Sequence, residues 1–369
     1  MTRMLRACIA AFAVSLCFAG SAQALPANFW GVVFQAEPTE IQFQQLKRGG
    51  VDSMRVPVDW GAVQSQPGTF NWGGIDQIVK RATVAGIDVL PFLTGAPNWA
   101  VPQAKVPGST LHAPSRLPAS GPAASAWSTF LAAAVARYGP NGTLWTDNPQ
   151  LPAHPIRNWQ IWNEPNFKYF VTHPNPAEYG KLVKLSSGVI RAADPGAKII
   201  LGGLFARPIE ATFHKKPPQA YFAKDFLAQM YAKTPGIKSK FQGVALHPYT
   251  GSYKTVGPRI EEVRQVLQAN HDGAKGLWIT ELGWSSSNPV AGQSNTFNKG
   301  PAGQVTQLKG AFSLLERNQA KWRIQRLYWF SVDDQQGSCN FCDGSGLFAD
   351  GFIPKKSWFA YVKFAGGTP

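Results

Sequence analysis

Two glutamates stand where an acidic side chain needs a specific reason. Glu164 follows the largely apolar run Trp159–Trp162 and is flanked by Asn163 and Pro165, and Glu281 ends the run Leu277–Thr280. A carboxylate placed directly after a buried strand is costly to desolvate unless it has partners. A pair of such carboxylates can do acid and nucleophile chemistry at a glycosidic bond, so Glu164 is the candidate acid/base and Glu281 the candidate nucleophile.

The chemistry sets a geometric requirement on these two residues. When a glycosidic bond is cleaved with retention of configuration, the two carboxyl groups stand about 5 to 5.5 Å apart. An ionised nucleophile then raises the pKa of its neighbour, which stays protonated and can act as an acid. We therefore expect a low pKa for Glu281 and a high pKa for Glu164, with both side chains over one open pocket.

The elements around these residues predict an α/β fold, a (β/α)8 barrel in a single domain, because short β-branched or aromatic runs alternate with longer amphipathic segments. Eight strands are predicted, the number that closes such a barrel, and strands four and seven would lie across it from each other. The predicted strands are Phe29–Phe34, Asp52–Val58, Ile87–Leu93, Ile156–Trp162, Lys198–Leu204, Gly243–His247, Leu277–Glu281 and Gln325–Ser331. The predicted helices are Thr39–Arg48, Gly74–Ala85, Ala124–Tyr138, Pro176–Ala193, Gln219–Lys233, Pro258–Asn270, Pro301–Asn318 and Pro354–Phe364.

An open, doubly wound sheet is the structural alternative. Its nucleotide-binding form requires a glycine-rich turn after the first strand, whereas Phe34 is followed here by Gln-Ala-Glu-Pro. The long loops fall mainly after strands, as in the Pro/Gly-rich segment Thr94–Pro122. A barrel builds its active site from the loops at that end, so the sequence favours the barrel.

The motifs resemble those of clan A glycoside hydrolases. The Asn-Glu-Pro of strand four and the Thr-Glu-Leu-Gly-Trp of strand seven carry the resemblance, together with Asp59–Val63 and Pro67–Trp72. Within the clan, the chain is most similar to family 39-like enzymes, the relatives of β-xylosidases and exopolysaccharide hydrolases. The resemblance covers nearly all of residues 25–369 and implies a glycosidase that hydrolyses O-glycosyl compounds.

The resemblance also implies roles for five further residues. Arg55 would hold Glu281 ionised, Tyr249 would donate a hydrogen bond to that nucleophile, and Asn163 would donate to the sugar 2-hydroxyl. His247 lies after strand six in the same group, and Trp329 would form the floor of the sugar subsite. Structural roles are the alternative for each residue taken singly: an interior ion pair for Arg55, a hydrogen-bonded barrel-end histidine for His247, and core packing for Trp329.

Tryptophans are the candidate sugar-stacking surfaces, because the chain contains 13 of them. Trp60, Trp99 and Trp284 are the preferred platforms, since they fall in loops after predicted strands. Packing in the core or at the rim of the barrel is the alternative for any one of them.

The N-terminus resembles an export signal. Arg3 and Arg6 precede an uncharged apolar run from Ala7 to Ala19, and Ser-Ala-Gln-Ala follows. A membrane anchor is the alternative, but the run is shorter than the roughly 20 residues that span a bilayer. We therefore predict a signal peptide at residues 1–24, a secreted catalytic domain at residues 25–369, and no membrane span.

The charge balance is strongly basic. The full chain has a formal net charge of +15, and removing a segment that contains Arg3 and Arg6 but no acidic residue would leave +13. The basic residues are scattered, without a basic arm or recognition helix, so nucleic acid is not the expected partner. We expect a monomer that binds an oligo- or polysaccharide, with an acidic glycan favoured by the charge.

Four cysteines are present, and Cys8 and Cys17 would be removed with the signal. The remaining pair, Cys339 and Cys342, predicts a disulfide in a secreted protein. A redox dithiol and half of a zinc site are the alternatives, but no second cysteine pair or histidine cluster is close in sequence.

Three other classes of protein are the alternatives to a glycosidase: a carbohydrate-binding barrel, a transglycosylase and a metal-dependent hydrolase. A non-catalytic carbohydrate-binding barrel would not need both glutamates, whereas a transglycosylase would use the same two residues with a sugar in place of water. A metal-dependent hydrolase has little support, because the six histidines lack paired spacing. The acidic residues near the cysteine pair, Asp333, Asp334 and Asp343, are better explained as a solvated loop than as a calcium site. We predict no cofactor and no metal.

Overall fold

The computed structural model describes residues 24–208, 217–290, 296–335 and 341–369. Residues 1–23 of the predicted signal peptide and Cys339 lie outside these ranges, so the signal and the Cys339–Cys342 disulfide stay predictions. Among the described residues, no helix is both long enough and apolar enough to cross a membrane.

Eight parallel strands close into a barrel in the order β1-β8-β7-β6-β5-β4-β3-β2. Each pairs with its two neighbours; for example, Gly31 of β1 is in register with Ser53 of β2 and with Tyr328 of β8. The strands are β1 Trp30–Val33, β2 Ser53–Asp59, β3 Asp88–Thr94, β4 Asn158–Asn163, β5 Lys198–Phe205, β6 Gly243–His247, β7 Gly276–Leu282 and β8 Ile324–Phe330. The predicted barrel is confirmed, and each predicted strand overlaps the observed one.

Eight long helices surround the barrel, one after each strand. They are α1 Glu40–Arg48, α2 Gly73–Ala85, α3 Gly121–Tyr138, α4 Pro176–Ala193, α5 Ala223–Lys233, α6 Val256–Ala269, α7 Gly300–Arg317 and α8 Lys356–Ala365. Local sequence explains their ends. Thr39 and Gln42 form a capping box at the start of α1, and Gly86 ends α2 with a left-handed φ of 69°.

Short hairpins and single helical turns lie in the loops. Two small hairpins pair Gln103–Lys105 with His112–Pro114 and Phe348–Ala349 with Ile353–Pro354. Single turns of α-helix lie at Trp60–Val63, Thr143–Thr146 and Gln319–Trp322, and 3-10 turns at Ile237–Lys240, Tyr253–Thr255 and Cys342–Gly344. The first hairpin lies in the long loop after β3, for which the sequence predicted no regular structure.

The core has two layers, because the strands are buried on both faces. Inside the barrel, side chains from six of the eight strands form one cluster, with members Val33, Leu90, Ile200, Ala245, Trp278 and Tyr328 and with Phe330 packed against it. A larger cluster fills the space between the barrel and the helices, and it includes Trp329. Side chains alternate along a strand, so Tyr328 and Phe330 of β8 face the interior while Trp329 faces the helices.

Candidate active site

The two glutamates meet at the C-terminal end of the barrel. Glu164 directly follows β4, and Glu281 lies near the end of β7. Carboxylate oxygens of both residues and a ring nitrogen of His247 all lie within 4.8 Å of one another. Both glutamate side chains are largely buried, at 10% and 12% exposure. The two carboxyl groups and the imidazole are therefore neighbours at one end of the barrel.

Arg55 and Tyr249 hold Glu281 from two sides. The Arg55 Nη1 donates to Glu281 Oε1 at 2.6 Å, and the Tyr249 hydroxyl donates to Oε2 at 3.0 Å. Each carboxylate oxygen thus accepts one strong hydrogen bond. These contacts match the roles that the family resemblance implied for both residues.

The guanidinium of Arg55 is itself fixed on every side. Nη2 donates to Asn163 Oδ1 at 2.6 Å, Nε donates to Gln160 Oε1 at 3.1 Å, and the group lies 3.8 Å from the centroid of the Phe92 ring. The side-chain oxygen of Asn163 accepts from Arg55. The NH2 group of Asn163 can therefore donate to another acceptor, as a contact to a sugar hydroxyl requires. Gln160 was missed by the sequence analysis; its signal was a polar residue within an otherwise apolar strand.

His247 lies between Glu164 and Thr280 of β7 and contacts both side chains. Its Nδ1 lies 2.7 Å from Glu164 Oε1 and 3.4 Å from Glu281 Oε2, and its Nε2 lies 3.0 Å from Thr280 Oγ1. Burial, with the nearby Arg55 charge, lowers the pKa of His247 well below its ordinary value, so the ring is neutral. A neutral ring can accept a hydrogen from protonated Glu164 or donate one to its carboxylate. Thr280 was also missed from the sequence.

A glycine and two unusual backbone conformations make room for this arrangement. A Cβ on Gly203 would come 1.9 Å from His247 Nε2, so that position accepts only glycine. Trp162 and Glu164 both have positive φ, 69° and 39°, which is uncommon for residues with a side chain. Such conformations concentrate at functional sites, where the surrounding structure maintains them.

The pKa values of the two carboxyl groups differ because their surroundings differ. Burial raises the pKa of Glu164 well above its ordinary value, and the charge of Glu281 raises it further. Burial also raises the pKa of Glu281, but Arg55 and Tyr249 oppose that rise. The expected low pKa for Glu281 is thus wrong in direction, because desolvation outweighs the ion pair, while the predicted order holds: the pKa of Glu164 is raised more strongly than that of Glu281.

The tryptophan assignments need correction. Trp329 is fully buried on the helix side of β8 and donates from Nε1 to Ser345 O at 3.0 Å, so it is not the floor of a sugar site. Phe330, one residue later, faces the barrel interior and lies 6.3 Å from the Tyr249 ring. Phe330, and not Trp329, is therefore the ring at this end of β8 that faces the barrel interior.

Two of the three loop tryptophans are also core residues. Trp60 is 0% exposed and packs on Trp127 and Phe130, and Trp284 is 0% exposed with Nε1 bonded to Thr250 O. Full burial leaves neither ring a face for a sugar. Trp99 keeps 36% exposure and packs edge-on against Trp60 at 5.7 Å, so a sugar contact there stays a prediction.

The site's three potential metal ligands are already engaged. Glu281 pairs with Arg55 and Tyr249, and Glu164 shares His247 Nδ1. The Arg55 guanidinium already supplies Glu281 with a counter-charge at 2.6 Å. This donor set therefore fits a carboxylate pair with one guanidinium better than a metal centre.

The solved structures that superpose on this chain include several glycoside hydrolases. A family 39 glycoside hydrolase from Bacteroides cellulosilyticus WH2 superposes with a TM-score of 0.61 at 18% identity, over 92% of this chain and 64% of that one. This chain therefore spans a little under two thirds of that enzyme's length. A monomeric beta-xylosidase from Caulobacter crescentus CB15 gives 0.62 at 19% identity, over 92% of this chain and 68% of that one. An intracellular xylanase from Thermoanaerobacterium saccharolyticum JW/SL-YS485 gives 0.59 at 14% identity, over 91% and 95%.

Sequence comparison gives two matches of different weight. A 47-residue stretch is 40% identical to the chloroplastic beta-amylase 1 of Arabidopsis thaliana, which is 12% of this chain and 8% of that protein. The profile of the glycosyl hydrolase catalytic core matches residues 154–354, a segment that includes both glutamates, His247 and Tyr249. That segment is more than half of the chain, and its fold is the one shared with family 39 enzymes: the chain belongs to the glycosyl hydrolase catalytic core family.

Proposed function

We propose that the protein cleaves O-glycosidic bonds of an oligo- or polysaccharide with retention of configuration, using Glu281 as nucleophile and Glu164 as acid/base. One observation carries the proposal: oxygens of the two carboxyl groups lie within 4.8 Å of each other. Retaining enzymes hold these groups about 5 to 5.5 Å apart, whereas inverting enzymes need roughly 6.5 to 9.5 Å for a water molecule between them.

In the first step, an oxygen of ionised Glu281 attacks the anomeric carbon of the sugar. The bond to the leaving oxygen breaks, and that oxygen takes the proton of Glu164. Arg55 and Tyr249 keep Glu281 ionised and orient it, at 2.6 and 3.0 Å. The products are a glycosyl ester on Glu281 and a free leaving-group hydroxyl.

In the second step, Glu164 is ionised and accepts a proton from water. The water oxygen attacks the anomeric carbon and the ester bond breaks, so Glu281 returns as a carboxylate and Glu164 as an acid. Esterification removes the negative charge of Glu281, and with it the repulsion that raises the pKa of Glu164. Loss of that charge lets Glu164 change from acid to base.

The names of the neighbours in fold, the net charge and the N-terminal pattern support a proposed substrate class and location. The neighbours in fold are named as a beta-xylosidase and a xylanase, and these names support a first screen on xylo-oligosaccharides. The net charge of +15 supports adding acidic glycans to it. The N-terminal pattern supports secretion of residues 25–369, in which Cys339 and Cys342 would form a disulfide. The monomeric beta-xylosidase among the neighbours in fold supports a monomer.

The test is the stereochemistry of the first product. Proton NMR during digestion of a substrate found in that screen is expected to show the original anomeric configuration before mutarotation. Glu281→Gln, which keeps the size of the side chain, should give no product in the same time. Initial release of the opposite anomer would contradict the double displacement.

A further inference from the structure

Two phenylalanines next to the acid have no role in the proposed chemistry. The rings of Phe167 and Phe205 lie 5.3 Å apart with a 50° tilt, and both residues are only partly buried. Tyr169 packs edge-on against Phe167 at 4.9 Å, and Phe205 meets Tyr249 edge-on at 6.0 Å. A half-exposed aromatic surface therefore runs from the loop that carries Glu164 toward the partner of Glu281.

This surface is held in place by a buried amide. Asn166 is 0% exposed; its Nδ2 donates to Phe205 O and Tyr221 O, each at 2.8 Å, and its Oδ1 accepts from Phe205 N at 3.1 Å. The N–H of Phe167 donates to Glu164 O at 2.9 Å. The backbones of both phenylalanines are thus held in place relative to Glu164, as a preorganised binding surface requires.

We propose that Phe167 and Phe205 form the binding surface for the leaving-group sugar, a proposal that rests on the function assigned to Glu164. The acid protonates the leaving oxygen, so the departing sugar must lie on the Glu164 side of the reaction centre. Phe205 is in register with His247, which lies 2.7 Å from Glu164. The C–H face of a sugar ring is apolar and fits partly exposed phenyl rings that offer no hydrogen bonds.

The same surface would place an acceptor sugar in the second step. Its hydroxyl gives a proton to Glu164, its oxygen forms the bond to the anomeric carbon, and the bond to Glu281 breaks. The protein would then transfer glycosyl groups to sugars as well as to water. The ligand class is a neutral or acidic saccharide with one accessible C–H face.

A kinetic comparison tests this role. We would measure kcat/KM for an oligosaccharide and for the glycosyl fluoride of the same sugar, whose leaving group is too small to reach the rings. For Phe205→Ala and Phe167→Ala, the loss on the oligosaccharide should exceed the loss on the fluoride by about tenfold, whereas Phe205→Trp should retain the oligosaccharide activity. Phe359→Ala, an exposed position on α8, is the matched control and should change neither. Parallel losses on both substrates would overturn the proposal.

A binding measurement separates this proposal from the proposed function. A glycan array of neutral and uronic-acid oligosaccharides is probed with the Glu281→Gln protein, with and without Phe167→Ala and Phe205→Ala. Binding that depends on the two phenylalanines would support the surface even in a protein that never cleaves. Binding that is unchanged by both substitutions, or absent from the Glu281→Gln protein, would overturn it.

Discussion

Ionic clusters lie at both ends of the barrel, and they differ in their balance of charge. At the N-terminal end, Asp88 of β3 pairs with Arg326 of β8 and lies 3.3 Å from His154 Nε2. Burial would raise the pKa of Asp88, but His154 and Arg326 lower it below its ordinary value. One carboxylate with two cationic partners is stable in its ionised form.

The catalytic end reverses that balance. Burial raises the pKa of both carboxyl groups, and the single guanidinium that they share offsets this only in part, so the pKa of Glu164 is raised well above its ordinary value and that of Glu281 less strongly. The comparison teaches that buried charge alone does not mark an active site. An active site of this kind is indicated by more buried carboxyl groups than positive partners, because one carboxyl group then stays protonated and can donate its proton.

The largest expected effect is at the nucleophile. Glu281→Ala should lower kcat by about 10⁴ or more, because no other carboxylate can form the glycosyl ester. Turnover is measured on the best substrate of the screen, and circular dichroism shows whether the fold is intact. A folded variant with wild-type turnover would remove Glu281 from the mechanism.

The next effect depends on the leaving group. Glu164→Ala should lose about 10² to 10⁴ in rate on natural glycosides, because their leaving oxygen needs a proton. On an aryl glycoside with a good leaving group, the first step should be retained, as seen in a burst of released phenol. Equal losses on both substrates would argue against the acid role.

Arg55→Gln should lower kcat/KM about a hundredfold and change the pH profile. Arg55 opposes the burial that raises the pKa of Glu281, so removing it raises that pKa further. Glu281 would then stay protonated to higher pH, and the acidic limb of the kcat/KM profile would move upward. Arg55→Lys keeps the charge and should reverse part of the shift. An unmoved acidic limb in Arg55→Gln would contradict the ion pair's role.

The smallest effect on activity is expected at the other end of the barrel. Asp88→Asn leaves Arg326 without its counter-charge and should lower the free energy of unfolding by about 3 kcal/mol while kcat changes little. In the wild type this stabilisation is present above the ordinary aspartate pKa, about 3.9, and is lost as pH falls through the lowered value in the folded state. Urea unfolding at neutral pH and near pH 3 measures both. A variant as stable as wild type would show that the pair is dispensable.

The sequence predicted the barrel and the two glutamates that lie together at its end, but not which aromatic side chains face the barrel interior. Strand boundaries follow from apolar runs, and glutamates at strand ends stand out against them. The face of β8 could not be read, because Leu327 to Phe330 are all apolar and a strand buried on both sides shows no alternation. Trp329 was therefore chosen where Phe330 faces the interior.

The burial of Trp60 was hidden for a related reason. The sequence places it in a loop, but Asp59 caps a single helical turn at Trp60–Val63 that turns the indole into the core. The direction of the pKa change at Glu281 likewise depends on burial, which spacing does not reveal. Tertiary packing decides all three outcomes.

The most direct test of the account is covalent trapping. A 2-deoxy-2-fluoro glycosyl fluoride of the preferred sugar forms its ester quickly and hydrolyses slowly, so it should label the protein once. Peptide mass spectrometry is predicted to find the label on Glu281, with no label in Glu281→Gln. A label on another residue, or no label while the wild type turns over natural substrate, would contradict the central claim.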